Sequence, residues 1–246
     1  MVQSPAAKTR GKSATFTGAA TRAARRAGQL YLWYSHPMLD NTHKKTDTRE
    51  RILELAESAV LAKGFASTSI EELIAAAGIS KSGFFYHFKD KGELAEAMME
   101  RYLIQDKAVL DEIFKRADEL NDDPLHGLLV ALKLFAEMLG NLPEAHPGCL
   151  AASFCYQDQL FNKKIRDMNA EGLLRWRKRF RERLDRIAEK YPPRGPVDLE
   201  ALSDMAASNV EGGLILGRVL KDVTILPRQI MLFRDLVRTT FLPDGR

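Results

Sequence analysis

Cysteine is nearly absent from this chain of 246 residues: Cys149 and Cys155 are its two thiols. Two cysteines build no disulfide framework, and their spacing is not that of a zinc site. They read as small buried hydrophobes, with a thiol sensor pair as the sharper alternative. No apolar run reaches the length of a membrane-spanning helix. Five histidines (His36, His43, His87, His126, His146) are scattered without metal-ligand spacing. There is no glycine-rich phosphate loop and no nucleophile motif, so neither catalytic residues nor a cofactor are expected. Strand-like alternation is rare, and none of it flanks a hairpin turn signal.

What is present is charge and helical periodicity. The chain is 45% hydrophobic and 28% charged, the composition of an ordinary soluble globular protein, and a cytoplasmic location is expected. Its net charge of +4 is uneven. Residues 1–47 carry eight Lys or Arg against Asp40 and Asp47, a local +6 that leaves the remainder at −2. Any DNA contact by the body must therefore rest on a local patch. Residues 1–46 lack periodicity and read as a disordered basic tail. Three origins compete: a phosphate-binding arm, a targeting peptide, or a start codon placed too early, with Met38 as the later start.

The most informative stretch runs from Ser69 to Lys91. Ser69 precedes Glu72 by three residues, a capping-box spacing. Ile70, Leu73, Ile74 and Ala77 then form one apolar face, and Gly78 follows where a left-handed cap favours glycine. Ile79 plugs a turn, Ser80 caps a second helix, and Phe84 and Phe88 anchor that helix to the first. This is the pattern of a helix-turn-helix. Lys81, Ser82, Gly83, Tyr86 and His87 are left over from the anchoring. They sit where recognition helices meet DNA, with Gly83 allowing close backbone approach. Lys91 opens a further helix and is expected to hold a phosphate beside its N-terminal amides.

These residues carry a resemblance. From about Thr48 to Leu94 the chain resembles the DNA-binding domain of the tetracycline-repressor-like (TetR) family of bacterial regulators. The resemblance rests on the helix Ile52–Leu61, Gly64-Phe65, the Thr68-Ser69 helix start, Ala77-Gly78-Ile79-Ser80, Tyr86-His87-Phe88 and Lys91-Gly-Glu-Leu94. It covers roughly a fifth of the chain in one ordered array. One departure is Phe85, where the family often has tyrosine, so a phosphate contact from that hydroxyl is lost or replaced. The resemblance implies an all-α, two-domain, homodimeric transcriptional regulator, most simply a repressor, binding double-stranded DNA at a palindromic operator and answering to a small-molecule effector. Ser69, His87 and Lys91 would position the domain on phosphates; Lys81, Ser82, Gly83 and Tyr86 would face bases.

The domains expected are a tail at 1–46, a helix-turn-helix domain at 47–94, and a ligand-binding and dimerisation domain at 95–246. Helices are expected near 48–63, 69–77, 81–88, 91–119, from about 121 to 142, 149–160, 162–190, 198–221 and 227–241, with Pro227 dividing the last two. In the run Arg175–Arg183, Trp176 and Phe180 belong to an apolar stripe (Leu173, Trp176, Phe180, Leu184, Ile187). The arginines therefore read as a solvated face with Glu182, Asp185 and Glu189 as partners. Ligand-pocket candidates are Tyr102, Phe135, Met138, Phe154 and Trp176, followed by Met98, Tyr156 and Phe180; plain core packing remains open for each. Gly212, Gly213 and Gly217 each weaken a helix by roughly 1 kcal/mol relative to alanine, which points to close helix approach. With Phe233 and Val237 on the next helix they are the candidate dimer seam of a four-helix bundle, an intrachain contact being the alternative. Two rivals to a specific regulator stand: a sequence-nonspecific nucleic-acid binder driven by the tail, and a helical ligand-binding or adaptor protein.

Overall fold

In the computed structural model, residues 47–142 and 144–242 are described; expectations for the tail at 1–46 fall outside them. The described residues form nine α-helices and one short 3-10 turn, without strands. The helices are α1 (Thr48–Lys63), α2 (Ile70–Ala77), α3 (Lys81–His87), α4 (Lys91–Leu120), α5 (Pro124–Gly140), α6 (Leu150–Cys155), α7 (Lys163–Lys190), α8 (Leu199–Leu220) and α9 (Ile225–Phe241). None of them is long and apolar enough to cross a membrane.

Local chemistry sets most boundaries. Ser69, Ser80, Asp90 and Asn162 each accept a hydrogen bond from the backbone N–H three residues on, capping α2, α3, α4 and α7. Asp123 caps α5, whose first residue is Pro124, where a missing N–H costs nothing. Two expected boundaries move. Pro227 lies inside the first turn of α9 rather than before it, and the break after α8 falls at Lys221, in the left-handed region with φ 53°. The helix expected over 149–160 stops at Cys155. Past that point Gln157 turns aside to accept from the Ala66 N–H at 3.1 Å.

Two hydrophobic cores share α4. The first gathers α1, α2 and α3 around Phe84 and Phe88, then continues through Leu94–Leu103 of α4 to Leu150, Phe154, Phe161 and Ile165. The second holds Leu110–Ala117 of α4, all of α5, Phe180–Ile187 of α7, and the inner faces of α8 and α9. The helix-turn-helix core therefore does not close at residue 94: it recruits α6 and the first turn of α7. Arg101 reinforces this junction. It extends from α4 to the carboxylates of Glu50, Glu54 and Glu57 on α1.

The α7 stripe forms as expected from Trp176 to Ile187, while Leu173 stays half outside. Most arginines beside it pair across to other helices. Arg177 bonds Asp204 of α8, and Arg179 and Arg183 reach Asp111 and Asp118 of α4; Arg181 pairs with Asp185 of its own helix.

Candidate nucleic-acid interface and ligand cavity

The turn between α2 and α3 is built from backbone geometry. Gly78 has φ 66° and ψ 36°. Its N–H bonds the Ala75 carbonyl, and the Ile79 N–H bonds that of Ile74, a pairing that satisfies the end of α2 and requires the left-handed residue. The capping box at α2 is only half formed. Ser69 caps, but Glu72 pairs with Lys63 instead of returning to the Ser69 N–H.

Phe84 and Phe88 are fully buried and fix the roll of α3. Lys81, Ser82, Phe85 and Tyr86 consequently point outward, Tyr86 with 85% of its surface exposed. His87 is half-buried with its ring against the edge of Tyr86. Gly83 has a second reason to be glycine: a Cβ there would lie 3.3 Å from Ser80 Oγ, the atom that caps the helix.

Lys91 departs from expectation. Its ammonium donates to the carbonyls of Phe65 (2.6 Å) and Ala66 (3.3 Å) and lies 4.4 Å above the Phe65 ring. Burial, with Lys63 nearby, lowers its pKa. It is a clamp on the α1–α2 loop rather than a free phosphate ligand.

A cavity of about 70 Å³ sits where the two cores meet. Of the pocket candidates, Tyr102, Phe135 and Trp176 line it. Met138 and Phe154 do not. Met138 packs half-buried against the second core, and Phe154 stacks on Phe161 (centroids 4.2 Å apart) in the first. Met98 and Phe180 are likewise core residues, and Tyr156 lies in solvent.

The polar lining was missed: Gln105, Asp106, His146, Cys149 and Glu211. One signal for it existed. Met99, Leu103, Leu110, Ile113 and Ala117 form the buried stripe of α4, and Asp106 occupies a stripe position between them. Burial raises its carboxyl to about 6, against the opposing hydrogen bond from Trp176 Nε1 at 2.8 Å. Burial also raises Glu211 and pushes His146 down to about 4. The Cys149 thiol is held at about 12 by burial and by Glu211 beside it, so it is a protonated donor and not a reactive thiolate. Cys155 is exposed, contrary to the buried reading.

The last two helices need a correction of face. Phe233 and Val237 are buried in their own chain's core. A Cβ on Gly213 would lie 3.0 Å from Leu226 Cα, and one on Gly217 would lie 3.2 Å from the Asp222 carbonyl, so both glycines serve intrachain packing. Gly212 alone of the five opens outward, with nothing near its Cβ position. Around it α8 exposes Met205, Leu216 and Val219, and α9 exposes Leu232 and Leu236. Of the five candidate seam residues, all except Gly212 lie on the inner faces of these helices.

Comparison with known proteins agrees with this geometry. The family described as "Bacterial regulatory proteins, tetR family" matches residues 52–98. The chain is 36% identical over 62 residues to the HTH-type transcriptional repressor NemR of Escherichia coli K12, covering 25% of this chain and 31% of NemR. The match thus spans about a third of that relative. It is 26% identical over 182 residues to the HTH-type transcriptional regulator YxaF of Bacillus subtilis, covering 73% of this chain and 90% of YxaF. A TetR-family regulator of solved structure from Agrobacterium tumefaciens superposes with a TM-score of 0.65 at 17% identity, covering 79% of this chain and 98% of the other. The matching segment lies on the helix-turn-helix, so residues 52–98 carry the DNA-binding domain of the tetR family of bacterial regulatory proteins, and the body shares the all-helical fold of regulators of that family.

Proposed function

We propose that the protein is a ligand-responsive transcriptional repressor that binds a palindromic operator as a homodimer in the cytoplasm. The observation that carries this reading is the orientation of α3. Phe84 and Phe88 are locked into the core, and Lys81, Ser82 and Tyr86 are presented together on the free face. Each subunit would lay α3 in the major groove of one half-site, Lys81 and Ser82 near the base edges and Tyr86 with His87 along the groove wall. Ser69, at the N-terminus of α2, faces the solvent where a phosphate would lie. Repressor is the printed role of NemR, which supports the direction of control.

The exposed apolar stripe around Gly212 on α8, with Leu232 and Leu236 on α9, supplies the surface through which two copies would pack as a four-helix seam. The cavity takes the effector. It is lined by α4 residues only one turn beyond the DNA-binding core, so a ligand that shifts α4 changes the separation of the two reading helices. The coupling is reciprocal: an effector that weakens operator binding is itself bound more weakly by the operator complex, by the same factor.

The test is selection of short DNA duplexes by the full-length protein at moderate salt, with sequencing of the bound pool. Enrichment of a palindrome is expected. Binding without enrichment that vanishes as salt rises would replace this reading with tail-driven electrostatics.

A further inference from the structure

The cavity's chemistry narrows its ligand. Its charged lining groups are Asp106 and Glu211, both acidic. Glu211 bonds the Cys149 thiol and pairs with no Lys or Arg among the described residues. Asp106 accepts from Trp176 and feels the charge of Glu211 across the cavity, which adds to its reluctance to ionise. Arg175 and Arg179 stand behind it on α7, outside the lining. Arg175 donates to the Leu103 carbonyl at 3.4 Å, and Arg179 pairs with Asp111. Gln105 adds a third acceptor, since its buried Oε1 has no hydrogen-bond partner. Against these acceptors stand three aromatic walls, Tyr102, Phe135 and Trp176, the last two 6.3 Å apart by ring centroids. Two half-buried carboxylates and an orphan acceptor beside aromatic faces ask for a donor with positive charge.

We propose that the cavity takes an organic cation with an aromatic body, its ammonium held between Glu211 and Asp106 and its ring packed against Phe135 and Trp176. The inference rests on reading the cavity as the effector site. The cavity as it stands has room for only a few waters, so the cation enters by displacing side chains. Leu173, half exposed yet part of the lining, marks the mouth. Once seated, the cation removes the mutual repulsion of the two carboxylates and gives Gln105 Oε1 a donor. An anion would meet two like charges, and a neutral isostere would leave Glu211 without a counter-charge.

Three probes with one aromatic body separate these cases: benzylammonium, benzyl alcohol and benzoate, titrated calorimetrically into the full-length protein at neutral pH. Benzylammonium is expected to bind at least about tenfold more tightly than the alcohol, and benzoate more weakly than either. Glu211→Gln and Asp106→Asn keep the shape and remove the charge. Each should shrink the preference for cation over alcohol, a ratio that a purely structural role would leave unchanged. Lowering the pH to about 5 should shrink it too, as Asp106 takes up a proton. Equal binding of cation and alcohol, binding led by benzoate, no binding of any probe, or a preference that survives both substitutions would overturn the assignment. The DNA selection stands apart from this result. An enriched operator with no cation preference refutes the ligand class alone; a cation preference with no enriched operator refutes the regulator reading alone.

Discussion

Arg218, near the end of α8, donates from Nη1 to the carbonyl of Leu61, in the last turn of α1, at 2.9 Å. The same nitrogen donates to the Pro147 carbonyl at 2.8 Å. One guanidinium thus joins the body, the loop bearing His146 and Cys149 at the cavity, and the helix that carries the DNA reader. Arg218→Ala frees both carbonyls to water, so the global cost should be small, about 1 kcal/mol. The local effect should be larger. Backbone amides over residues 60–65 should exchange with solvent faster in the variant, while amides in the middle of α5 keep their protection. Unchanged exchange at the end of α1 would show that the contact does not hold the helix.

Lys81→Ala and Tyr86→Ala should each weaken binding to a selected operator by about tenfold or more, with the unfolding midpoint unchanged, because both side chains are outside the core. Lys91→Ala should behave oppositely. It removes two hydrogen bonds to the loop carbonyls and the contact over Phe65, so it should lower stability by roughly 1–2 kcal/mol before any DNA is added. Thermal unfolding and operator titration of the three variants separate the groups. A Lys91 variant of normal stability with a reduced salt slope would return that residue to the phosphate role.

Asp106 and His146 should shape the acid profile in opposite senses. The folded pKa of Asp106 is raised from 3.8 to about 6, so the folded state holds the extra proton, and this group's contribution to stability falls as pH rises from about 4 to 6. The folded pKa of His146 is lowered from 6.5 to about 4, so there the unfolded state holds the extra proton, and stability falls as pH drops through the same window. Asp106→Asn should therefore exceed the parent in stability at neutral pH, by up to about 3 kcal/mol, and lose that advantage near pH 4. Replacing His146 with glutamine should flatten the loss of stability between pH 6.5 and 4. Chemical denaturation across this range checks both. An Asp106→Asn variant less stable than the parent at neutral pH would mean that the carboxylate is held by contacts outweighing its burial.

Two adjacent glycines should respond in opposite ways. Gly213→Ala places a methyl 2.8 Å from Leu226 Cδ1 and 3.0 Å from its Cα, so the start of α9 must move, at about 1–3 kcal/mol. Gly212→Ala meets nothing within the chain and should strengthen α8 by about 1 kcal/mol. If copies pack over Gly212 as proposed, the same methyl weakens the dimer. Sedimentation over a dilution series should then show more monomer for Gly212→Ala. A dimer as tight as the parent's would move the seam away from that position.

The helix-turn-helix was legible because its determinants are local. A capping serine, a left-handed glycine and two phenylalanines four apart each act within a turn of chain, and each appears where the spacing puts it. The seam and the cavity depend on which face a helix turns inward, which is settled by partners far along the sequence. Gly212 and Gly213 have the same local signature, and only Leu226, thirteen positions away from Gly213, tells them apart. Among the aromatic candidates Tyr102, Phe135 and Trp176 line the cavity, while the carboxylates that also line it were passed over. Asp106 was nonetheless readable as a charge in an apolar stripe. Glu211 lacked even that signal, since it borders glycine and the Cys149 thiol it bonds lies far along the sequence.

The first core, closed by Phe154, Phe161 and Ile165 from beyond residue 149, bears on modularity. A graft of this reading head onto another regulator's body, cut after Leu94, would leave Phe65 without its two aromatic neighbours and the face of α1 open to water. A transplant that preserves the head must carry α6 and the opening turn of α7 with it, or supply equivalent rings from the recipient. The same constraint bears on variation: side chains from Leu150 to Ile165 pack against the reading head, so a change in one must be matched in the other.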